Sequence, residues 1–238
     1  RMIVRVNHSL KIPEIESTTV ADLAHEKQNS VMLLRLCYPE VIKKENEIYA
    51  ILNEIDYTNK SIIEIAQQCN TYIFNNFTYS KGITNIETTI DEILEIRKGV
   101  CQDFAHVLLQ LLRTAGIPSR YVSGYICPNE GGLRGEGATH AWVEIYSPNQ
   151  GWLGLDPTNN IWTMDNHVKL SVGRNFYDCT LVKGTFKGLS KQTLSVSVSI
   201  GYEDGRKFEE INNVQLEKVS EAVQEQLDYI EQQQQQQQ

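Results

Sequence analysis

Apolar residues recur at steps of three and four after Cys101, which places them on one side of a helix. Gly116 and Pro118 mark its end, because glycine accepts a left-handed cap and proline cannot continue the hydrogen-bond ladder. Lys98-Gly99 reads as a turn, so the helix is predicted to begin at or near Cys101. The stripe consists of Phe104, Val107, Leu108, Leu111, Leu112 and Ala115.

The same spacing predicts helices over residues 40–55, 61–77, 89–96 and 213–230. The last has a narrow stripe on an otherwise charged helix, so it needs a partner surface. That surface is either the chain's own domain or a second copy, and self-association through this C-terminal helix is one of the two expectations. The run Gln232 to Gln238 is low in complexity and carries no chemistry of its own.

Strict alternation marks the segment from Ala138 to Tyr146, where Ala141, Val143 and Ile145 alternate with polar or aromatic residues. Alternation predicts a strand with His140 and Trp142 on one face. A turn at 148–151 precedes the strand predicted at 151–155, so the two strands are expected to pair as an antiparallel hairpin. Further strands are predicted at 2–6, 168–172 and 192–201. The fold class is α+β, with helices packed against an antiparallel sheet.

Composition limits the classes of partner. The 238 residues are 41% hydrophobic, enough for a sizeable core, and carry a net charge of −8 without a dense run of Lys or Arg. We therefore expect neither nucleic acid nor membrane as a partner. An odd number of cysteines, five, without paired short spacing, favours free thiols and a cytoplasmic location. A signal peptide that had been removed would leave no trace.

Cys101 lies where a thiol becomes a nucleophile. Unpaired N–H groups and the dipole at a helix start favour the thiolate. Asp103 opposes a thiolate unless it points away, and we interpret it as an acid that stabilises the helix start. The predicted hairpin brings Asp156 beside His140. A thiol, an imidazole and a carboxylate are the groups that acyl transfer by cysteine requires.

Each of these residues also has a structural interpretation. A lone cysteine is commonly a small buried hydrophobe, and Cys37, Cys69, Cys127 and Cys179 are interpreted as packing residues. His106 lies off the Cys101 face of the helix and is expected to be packed or solvated. A metal bound by the thiol, the imidazole and the carboxylate is geometrically conceivable, but it would quench the nucleophile and has no His-Glu-x-x-His pattern. We predict no metal and no cofactor.

Three motifs stand in order: Gly-Val-Cys-Gln-Asp-Phe-Ala-His around Cys101, Thr-His-Ala-Trp around His140, and Gly-Trp-Leu-Gly-Leu-Asp-Pro-Thr-Asn around Asp156. The chain thereby resembles the transglutaminase-like superfamily of cysteine enzymes, specifically its bacterial branch of proposed cysteine proteases. The resemblance runs from about residue 61 to about residue 202. It implies a papain-like or transglutaminase-like core with Cys101 as nucleophile at a helix N-terminus, His140 as base and Asp156 as carboxylate.

The domains are predicted as an N-terminal extension at 1–57, a catalytic core at 58–203, and a C-terminal helix with a Gln-rich tail at 204–238. The start at Arg1-Met2 fits a trimmed or processed N-terminus. The Gly-rich segment 129–137 leads into a strand rather than a helix, so it is not a nucleotide loop. It is interpreted either as a mobile loop bordering the substrate cleft or as a plain connector.

The function implied by the resemblance is hydrolysis of a peptide or other amide through a thioester. Tyr79, Gln102 and Trp142 are candidates for oxyanion or substrate contacts, with Tyr79 as the second oxyanion donor beside the backbone N–H of Cys101. Transfer of the acyl group to an amine, as in a true transglutaminase, is the alternative. A third hypothesis is a binding module without activity, which Asn175 favours because the family commonly has Asp there.

Overall fold

The protein is described from a computed structural model, which covers residues 13–14, 16–127, 133–134 and 139–180, together with the backbone of 192–196, 200–201, 207–208 and 214–218. The chain forms two compact units, Arg1–Thr180 and Leu181–Gln238. The domain limits predicted from the sequence remain predictions. None of the helices in the described part combines the length and the apolar character that crossing a bilayer requires.

The first unit is α+β, as predicted. Its described residues form six α-helices: α1 Leu23–Asn29, α2 Val31–Arg35, α3 Glu45–Glu54, α4 Ile62–Asn76, α5 Ile90–Ile96 and α6 Cys101–Thr114. The strands of this unit are β1 Thr78–Tyr79, β2 Lys98–Gly99, β3 Ser119–Ile126, β4 Thr139–Ser147, β5 Gly151–Asp156, β6 Ile161–Trp162 and β7 His167–Gly173.

Five strands make one antiparallel sheet in the order β6-β5-β4-β3-β7, and the short strands β1 and β2 pair in parallel. Helix α6 packs against β3 and β4 and also contacts α3, α4 and α5. The apolar stripe of α6 is buried, with Val107, Leu108 and Leu111 fully covered. The core therefore lies between this helix and the sheet, and the first turn of α6 stands beside the strands that carry His140 and Asp156.

Local signals explain the helix limits. Ser61 and Thr89 each begin a helix with a capping box, in which the hydroxyl accepts the N–H of Glu64 or Glu92 and that glutamate accepts in return. Helix α3 starts at Glu45, later than the predicted residue 40, because the Asp91 carboxylate accepts the N–H groups just before it. Helices α1 and α2 lie in the predicted N-terminal extension, where the sequence predicted only a strand at 2–6 before residue 40.

The second unit contains strands β8 Gln192–Val196, β9 Ile200–Gly201, β10 Lys207–Phe208 and β11 Val214–Lys218. Strand β8 pairs with β11 and β9 with β10, both antiparallel. Of the strand predicted at 192–201, residues 192–196 and 200–201 are strand, and residues 197–199 lie outside the described residues. The strand predicted at 2–6 lies outside the described residues.

The predicted helix over 213–230 is wrong at its start, because β11 occupies Val214–Lys218. In this short segment the apolar residues Val214 and Leu216 alternate with polar ones, so a period of two fits as well as a helical period. The β8 strand then supplies the backbone partners that a helix would have found internally. Residues 219–230 lie outside the described residues, and self-association through them remains a prediction.

Candidate active site

Cys101 is the first residue of α6 and is half-buried. The Asp103 carboxylate binds the start of the helix. Its Oδ2 accepts the Val100 N–H at 2.8 Å and the Thr84 hydroxyl at 2.6 Å. Burial raises the pKa of Asp103, although both hydrogen bonds act against that rise. The acid at the helix start is thus a structural residue, as predicted.

Gly99 allows this turn to close. A Cβ at Gly99 would stand 2.5 Å from Asp103 Oδ2, inside any normal contact, so a side chain here would force the carboxylate away. The parallel pairing of β1 and β2 sets Tyr79 opposite Gly99. Burial, and after it the Cys101 side chain, raises the pKa of the Tyr79 hydroxyl, so Tyr79 lies within electrostatic reach of the thiol.

The hairpin of β4 and β5 brings His140 and Asp156 together. The strands pair with Val143 opposite Leu155, which carries the end of β5 toward the start of β4. His140 Nε2 donates to Asp156 Oδ2 at 2.8 Å, and both side chains are fully buried. The carboxylate therefore holds the imidazole in one orientation.

Burial by itself would lower the pKa of His140. Asp156 and Cys101 outweigh that effect and raise the pKa to about 10. For Asp156, burial acts to raise the pKa, but His140 and His167 hold it well below its usual range. An imidazolium and a carboxylate are thus the stable forms of this pair in neutral solution.

The other ring nitrogen of His140, Nδ1, is buried and makes no hydrogen bond of standard length to any described residue. Since Nε2 is taken by Asp156, Nδ1 is the nitrogen left for the thiol. Cys101 is near enough for its charge to raise the pKa of His140. A thiol and imidazole that are close without being tightly bonded are common in enzymes without bound substrate.

Sequence reasoning missed two side chains that bind the carboxylate. Asn159 Nδ2 donates to Asp156 Oδ2 at 2.7 Å, and His167 Nε2 lies 3.3 Å from the same oxygen. The backbone N–H of Thr158 donates to Oδ1 at 2.9 Å. Asn159 was within reach of the analysis, because it ends the Asp-Pro-Thr-Asn motif. His167 opens β7, eleven residues after Asp156, and its sequence context has no distinguishing pattern.

Asn70, on α4, holds the end of β5 in place through side-chain hydrogen bonds. Its Nδ2 donates to the backbone carbonyl of Asp156 at 3.3 Å and to Asn160 Oδ1 at 3.2 Å. Asn160 has the left-handed conformation, with φ of 54°, which turns the chain after the carboxylate. Buried Asn70 is a third residue that the sequence did not identify, since helical spacing predicts packing at its position.

Of the three auxiliary candidates, Trp142 contacts the triad histidine. Trp142 shares a face with His140, as predicted. Its ring stacks on the imidazole with centroids 6.3 Å apart, and it is only 2% exposed, so it backs the histidine from the interior. Gln102 is half-buried in the first turn of α6. Whether Tyr79, Gln102 and Trp142 contact substrate or oxyanion stays a prediction.

The remaining predicted residues have structural surroundings. His106 is packed on Tyr121, with ring centroids 5.3 Å apart, and its Nε2 accepts the Phe176 N–H at 3.3 Å. Asn175 starts a short 3-10 helix by accepting the Tyr177 N–H at 3.1 Å. No disulfide joins any of the five cysteines, all of which lie in the described part of the chain.

In the part of the chain that the structure describes, one group could supply three metal-ligating atoms: His140, Asp156 and His167, whose atoms lie within 4.8 Å of one another. The thiol considered from the sequence is not in this group. The hydrogen bonds already described engage Nε2 of both histidines and the shared Asp156 oxygen. Hydrogen bonding therefore accounts for the cluster without an ion.

Of the Gly-rich segment, only Leu133 and Arg134 are described. The backbone N–H of Arg134 donates to Asn159 Oδ1 at 2.8 Å, and its carbonyl accepts from Asn159 Nδ2 at 3.1 Å. The same amide thus binds both Arg134 and the Asp156 carboxylate. Leu133 and Arg134 therefore lie beside the site, while residues 129–132 and 135–137 lie outside the described residues.

The sequence is similar to several known proteins. Its most similar curated relatives include an uncharacterized protein of Mycobacterium tuberculosis, 34% identical over 150 residues, which is 59% of this chain and 48% of that protein. A protein-glutamine gamma-glutamyltransferase of Pseudomonas aeruginosa is 35% identical over 94 residues, or 36% of this chain and 14% of the enzyme. The chain spans about half the length of the mycobacterial relative.

Among solved structures, a "putative cysteine protease" from Cytophaga hutchinsonii superposes with a TM-score of 0.55 at 26% identity, over 69% of this chain and 53% of that one. The family model that matches residues 49–157 is that of the transglutaminase-like superfamily. This stretch contains α6, the β4–β5 hairpin and all three motif residues. Residues 49–157 therefore form a domain similar to the transglutaminase-like superfamily.

Proposed function

We propose that the protein is a cysteine-dependent amide hydrolase in which Cys101 is the nucleophile, His140 the acid and base, and Asp156 the orienting carboxylate. The observation that carries this proposal is the fully buried hydrogen bond of 2.8 Å between His140 and Asp156, beside a thiol at a helix N-terminus. A buried carboxylate that fixes one imidazole nitrogen leaves the other for the nucleophile.

In the first half of the reaction, Nδ1 of His140 already holds the proton of Cys101, and the Cys101 thiolate attacks the amide carbonyl carbon. The tetrahedral intermediate then collapses. Its C–N bond breaks, the His140 proton goes to the leaving nitrogen, and an amine departs. The product on the protein is a thioester between the acyl group and Sγ of Cys101.

Water resolves the thioester in the second half. His140 takes a proton from the water as its oxygen attacks the acyl carbon. The C–S bond then breaks, a carboxylic acid leaves, and the Cys101 thiolate is regenerated beside the protonated His140. The hydrogen bond to Asp156 stabilises the imidazolium in both halves.

Developing negative charge on the carbonyl oxygen needs donors. The N–H of Cys101 is one of the first N–H groups of α6, which have no carbonyl partner within their own helix. Tyr79 is our proposed second donor, supported by its electrostatic contact with the thiol. The substrate class that we propose is a peptide or another amide, with no cofactor and with neither nucleic acid nor membrane as a partner.

The first experiment maps the alkylation rate of each cysteine across pH by mass spectrometry, in the wild type and in His140→Ala. We expect Cys101 to react fastest and to stay reactive well below the usual thiol pKa of about 8.5, but only while His140 is present. Cys37, which is also half-buried, and fully buried Cys69 are internal controls. Burial raises the pKa of Cys69 to about 12, so it should stay unmodified in the folded protein.

The second experiment screens amide and peptide substrates with the wild type, Cys101→Ala and the control Cys37→Ala. Hydrolysis by the wild type and the control, lost in Cys101→Ala, is the expected result. If Cys101 alkylates like Cys37 and its replacement changes no turnover, the enzyme proposal is wrong. The binding-module hypothesis would then replace it.

Amine transfer is the second candidate. It is supported by the Pseudomonas aeruginosa relative, which is named as a protein-glutamine gamma-glutamyltransferase. The two reactions share the thioester and differ in what attacks it. A labelled primary amine offered together with a glutamine-containing acceptor peptide separates them. Incorporation of the label in preference to release of free acid would favour transfer.

For the compartment we propose the cytoplasm. The support is the cysteine usage: five cysteines without a disulfide among them fit a reducing environment. Fractionation with an antibody to the protein tests the proposal, and recovery with periplasmic or secreted proteins would contradict it.

A further inference from the structure

His167 contacts the carboxylate of the proposed triad from a strand outside the hairpin. It is the first residue of β7, a strand that pairs with β3 and not with either strand of the β4–β5 hairpin. Its side chain is fully buried, and its ring meets Trp142 edge to face with centroids 5.4 Å apart. Since Trp142 also stacks on His140, one tryptophan fixes both imidazoles.

The hydrogen bonds of the His167 ring to Asp156 and to Met164 indicate which ring nitrogen carries a proton. Nε2 faces Asp156 Oδ2 at 3.3 Å, and an ionised carboxylate can only accept a hydrogen bond, so Nε2 carries a proton. Nδ1 receives the backbone N–H of Met164 at 3.2 Å, which makes it an acceptor. A neutral ring with the proton on Nε2 satisfies both contacts.

Asn166 lies beside the same nitrogen. Its side-chain oxygen Oδ1 stands 3.0 Å from Nδ1 of His167, while its buried Nδ2 makes no hydrogen bond to a described residue, an arrangement that a half-turn of the amide would reverse. With the amide turned so that its nitrogen faces Nδ1, Asn166 donates to the same acceptor as Met164. Two donors then hold Nδ1 in its unprotonated state.

We propose that His167 is a positioning residue for the triad: its Nε2–H holds Asp156 Oδ2 in the direction of His140, and it acts as a neutral donor that never transfers a proton. This inference rests on the proposed function, since it assigns His167 to the same site. It extends the triad to a third strand, so that β7 takes part in aligning groups that lie on β4 and β5.

Oδ2 of Asp156 would then have three side-chain donors, from His140, Asn159 and His167. A buried carboxylate needs such donors, because an unsatisfied buried charge is strongly unfavourable. Loss of one donor leaves the carboxylate less stabilised and freer to turn. It should therefore take up a proton more readily and hold His140 less firmly.

The test compares His167→Phe, which keeps an aromatic ring against Trp142, with His167→Gln, whose amide can donate near the position of Nε2. His106→Phe is the matched control. Like His167, His106 packs against an aromatic ring, but its ring partner is Tyr121 and its hydrogen bond is to the Phe176 N–H. Thermal unfolding confirms that each variant is folded. Two quantities are measured: the titration of Asp156 by NMR of ¹³Cγ-labelled aspartate, assigned with Asp156→Asn, and the alkylation rate of Cys101 against pH.

In His167→Phe we expect the Asp156 titration to move up by about one pH unit or more and Cys101 alkylation near neutral pH to slow roughly tenfold. His167→Gln should restore most of both quantities, and His106→Phe should change neither. The other titrating groups that face Asp156 are His140 and Tyr79, and all variants retain them. A merely structural role would lower stability without moving the carboxylate titration.

Wild-type values of both quantities in folded His167→Phe would overturn the inference, as would failure of His167→Gln to recover either. The NMR titration does not depend on the reactivity of Cys101. An upward shift of Asp156 in His167→Phe together with an unreactive wild-type Cys101 would therefore support the positioning role while contradicting the hydrolase. If Cys101 is reactive and depends on His140, but the Asp156 titration does not move in His167→Phe, the hydrolase proposal is supported and the positioning role is contradicted.

Discussion

At the scale of single residues, the site depends on polar groups that are buried yet partnered. Asp156 is completely covered and receives hydrogen bonds at both oxygens. Asp103 is 1% exposed and serves the backbone at the start of α6. Two carboxylates near one thiol thus do different work, because one is directed to an imidazole and the other to a helix start.

His106 provides a prediction at this scale. Burial lowers its pKa to about 4, so between pH 6.5 and 4 the unfolded chain binds a proton that the folded chain does not. The stability that neutral His106 contributes is present above pH 6.5 and is lost as pH falls toward 4. Relative to His106→Gln, which keeps an acceptor for the Phe176 N–H, the wild type should lose on the order of 2 kcal/mol between pH 7 and pH 4.

Urea unfolding of the two proteins at several pH values measures this difference. If the free energies of unfolding of wild type and His106→Gln run parallel from pH 7 to pH 4, His106 does not titrate as its burial requires. A change confined to a constant offset would indicate lost packing on Tyr121 alone.

At the scale of elements, the sheet is shaped around Trp142. The pairing of β3 with β7 shifts register between Ser123 and Gly124, and a Cβ on Gly124 would collide with the Val168 carbonyl and stand 2.5 Å from the Trp142 ring. Glycine therefore lets three strands close over the indole. Because the indole backs His140, this irregularity of β3 supports the site on the next strand.

We expect Gly124→Ala to destabilise the protein by about 1–3 kcal/mol, since the added methyl group must displace the indole or part the strands. Displacement of Trp142 should also slow His140-dependent alkylation of Cys101. Denaturant unfolding and the alkylation assay measure the two effects. Ser123→Ala, one position earlier on β3, adds no volume and is the control. Equal stability of Gly124→Ala and the wild type would mean that the indole has room to move.

Helix α6 is the element that the sequence predicted most closely, from its start at Cys101 to its stop before Gly116. Its apolar stripe, cap and terminating residues are all local, and they agree with one another. The start of the predicted C-terminal helix was wrong because its local pattern was ambiguous. Val214–Lys218 was compatible with two periods, and a distant strand, Gln192–Val196, decided between them.

At the scale of the whole molecule, the His140–Asp156 pair couples pH to folding. Asp156 and Cys101 raise the pKa of His140 to about 10 against the effect of burial. The contribution of His140 to stability is therefore fully present below pH 6.5, and is lost as pH rises through 10. The contribution of Asp156, whose pKa is depressed, is present above its usual value and is lost in acid.

The corresponding prediction compares the wild type with His140→Gln, whose amide can donate to Asp156 without titrating. Between pH 6.5 and 10 the free energy of unfolding of the wild type should fall relative to the variant by at least about 1.4 kcal/mol, the equivalent of one pKa unit. Guanidinium unfolding across this range measures the difference. An unchanged difference would show that His140 is neutral in the folded protein at pH 7.

The sequence by itself determined the parts that depend on neighbouring residues: the capping boxes at Ser61 and Thr89, the helix that starts at Cys101, and the β4–β5 hairpin with His140 and Asp156 on it. Apolar residues spaced by two predict a strand and those spaced by three or four predict a helix. These patterns, like turn and capping residues, can be recognised within a short stretch of sequence.

Only the tertiary structure decided which distant groups meet. Asn70 lies 86 residues from Asp156, and His167 reaches the carboxylate through β7, a strand on the far side of β3. No local pattern specifies such contacts, because they arise from the order of strands in the sheet and from the requirement that a buried charge be hydrogen-bonded. Asn70 and His167 could therefore be identified only from the tertiary structure, whereas the triad candidates could be identified from the sequence.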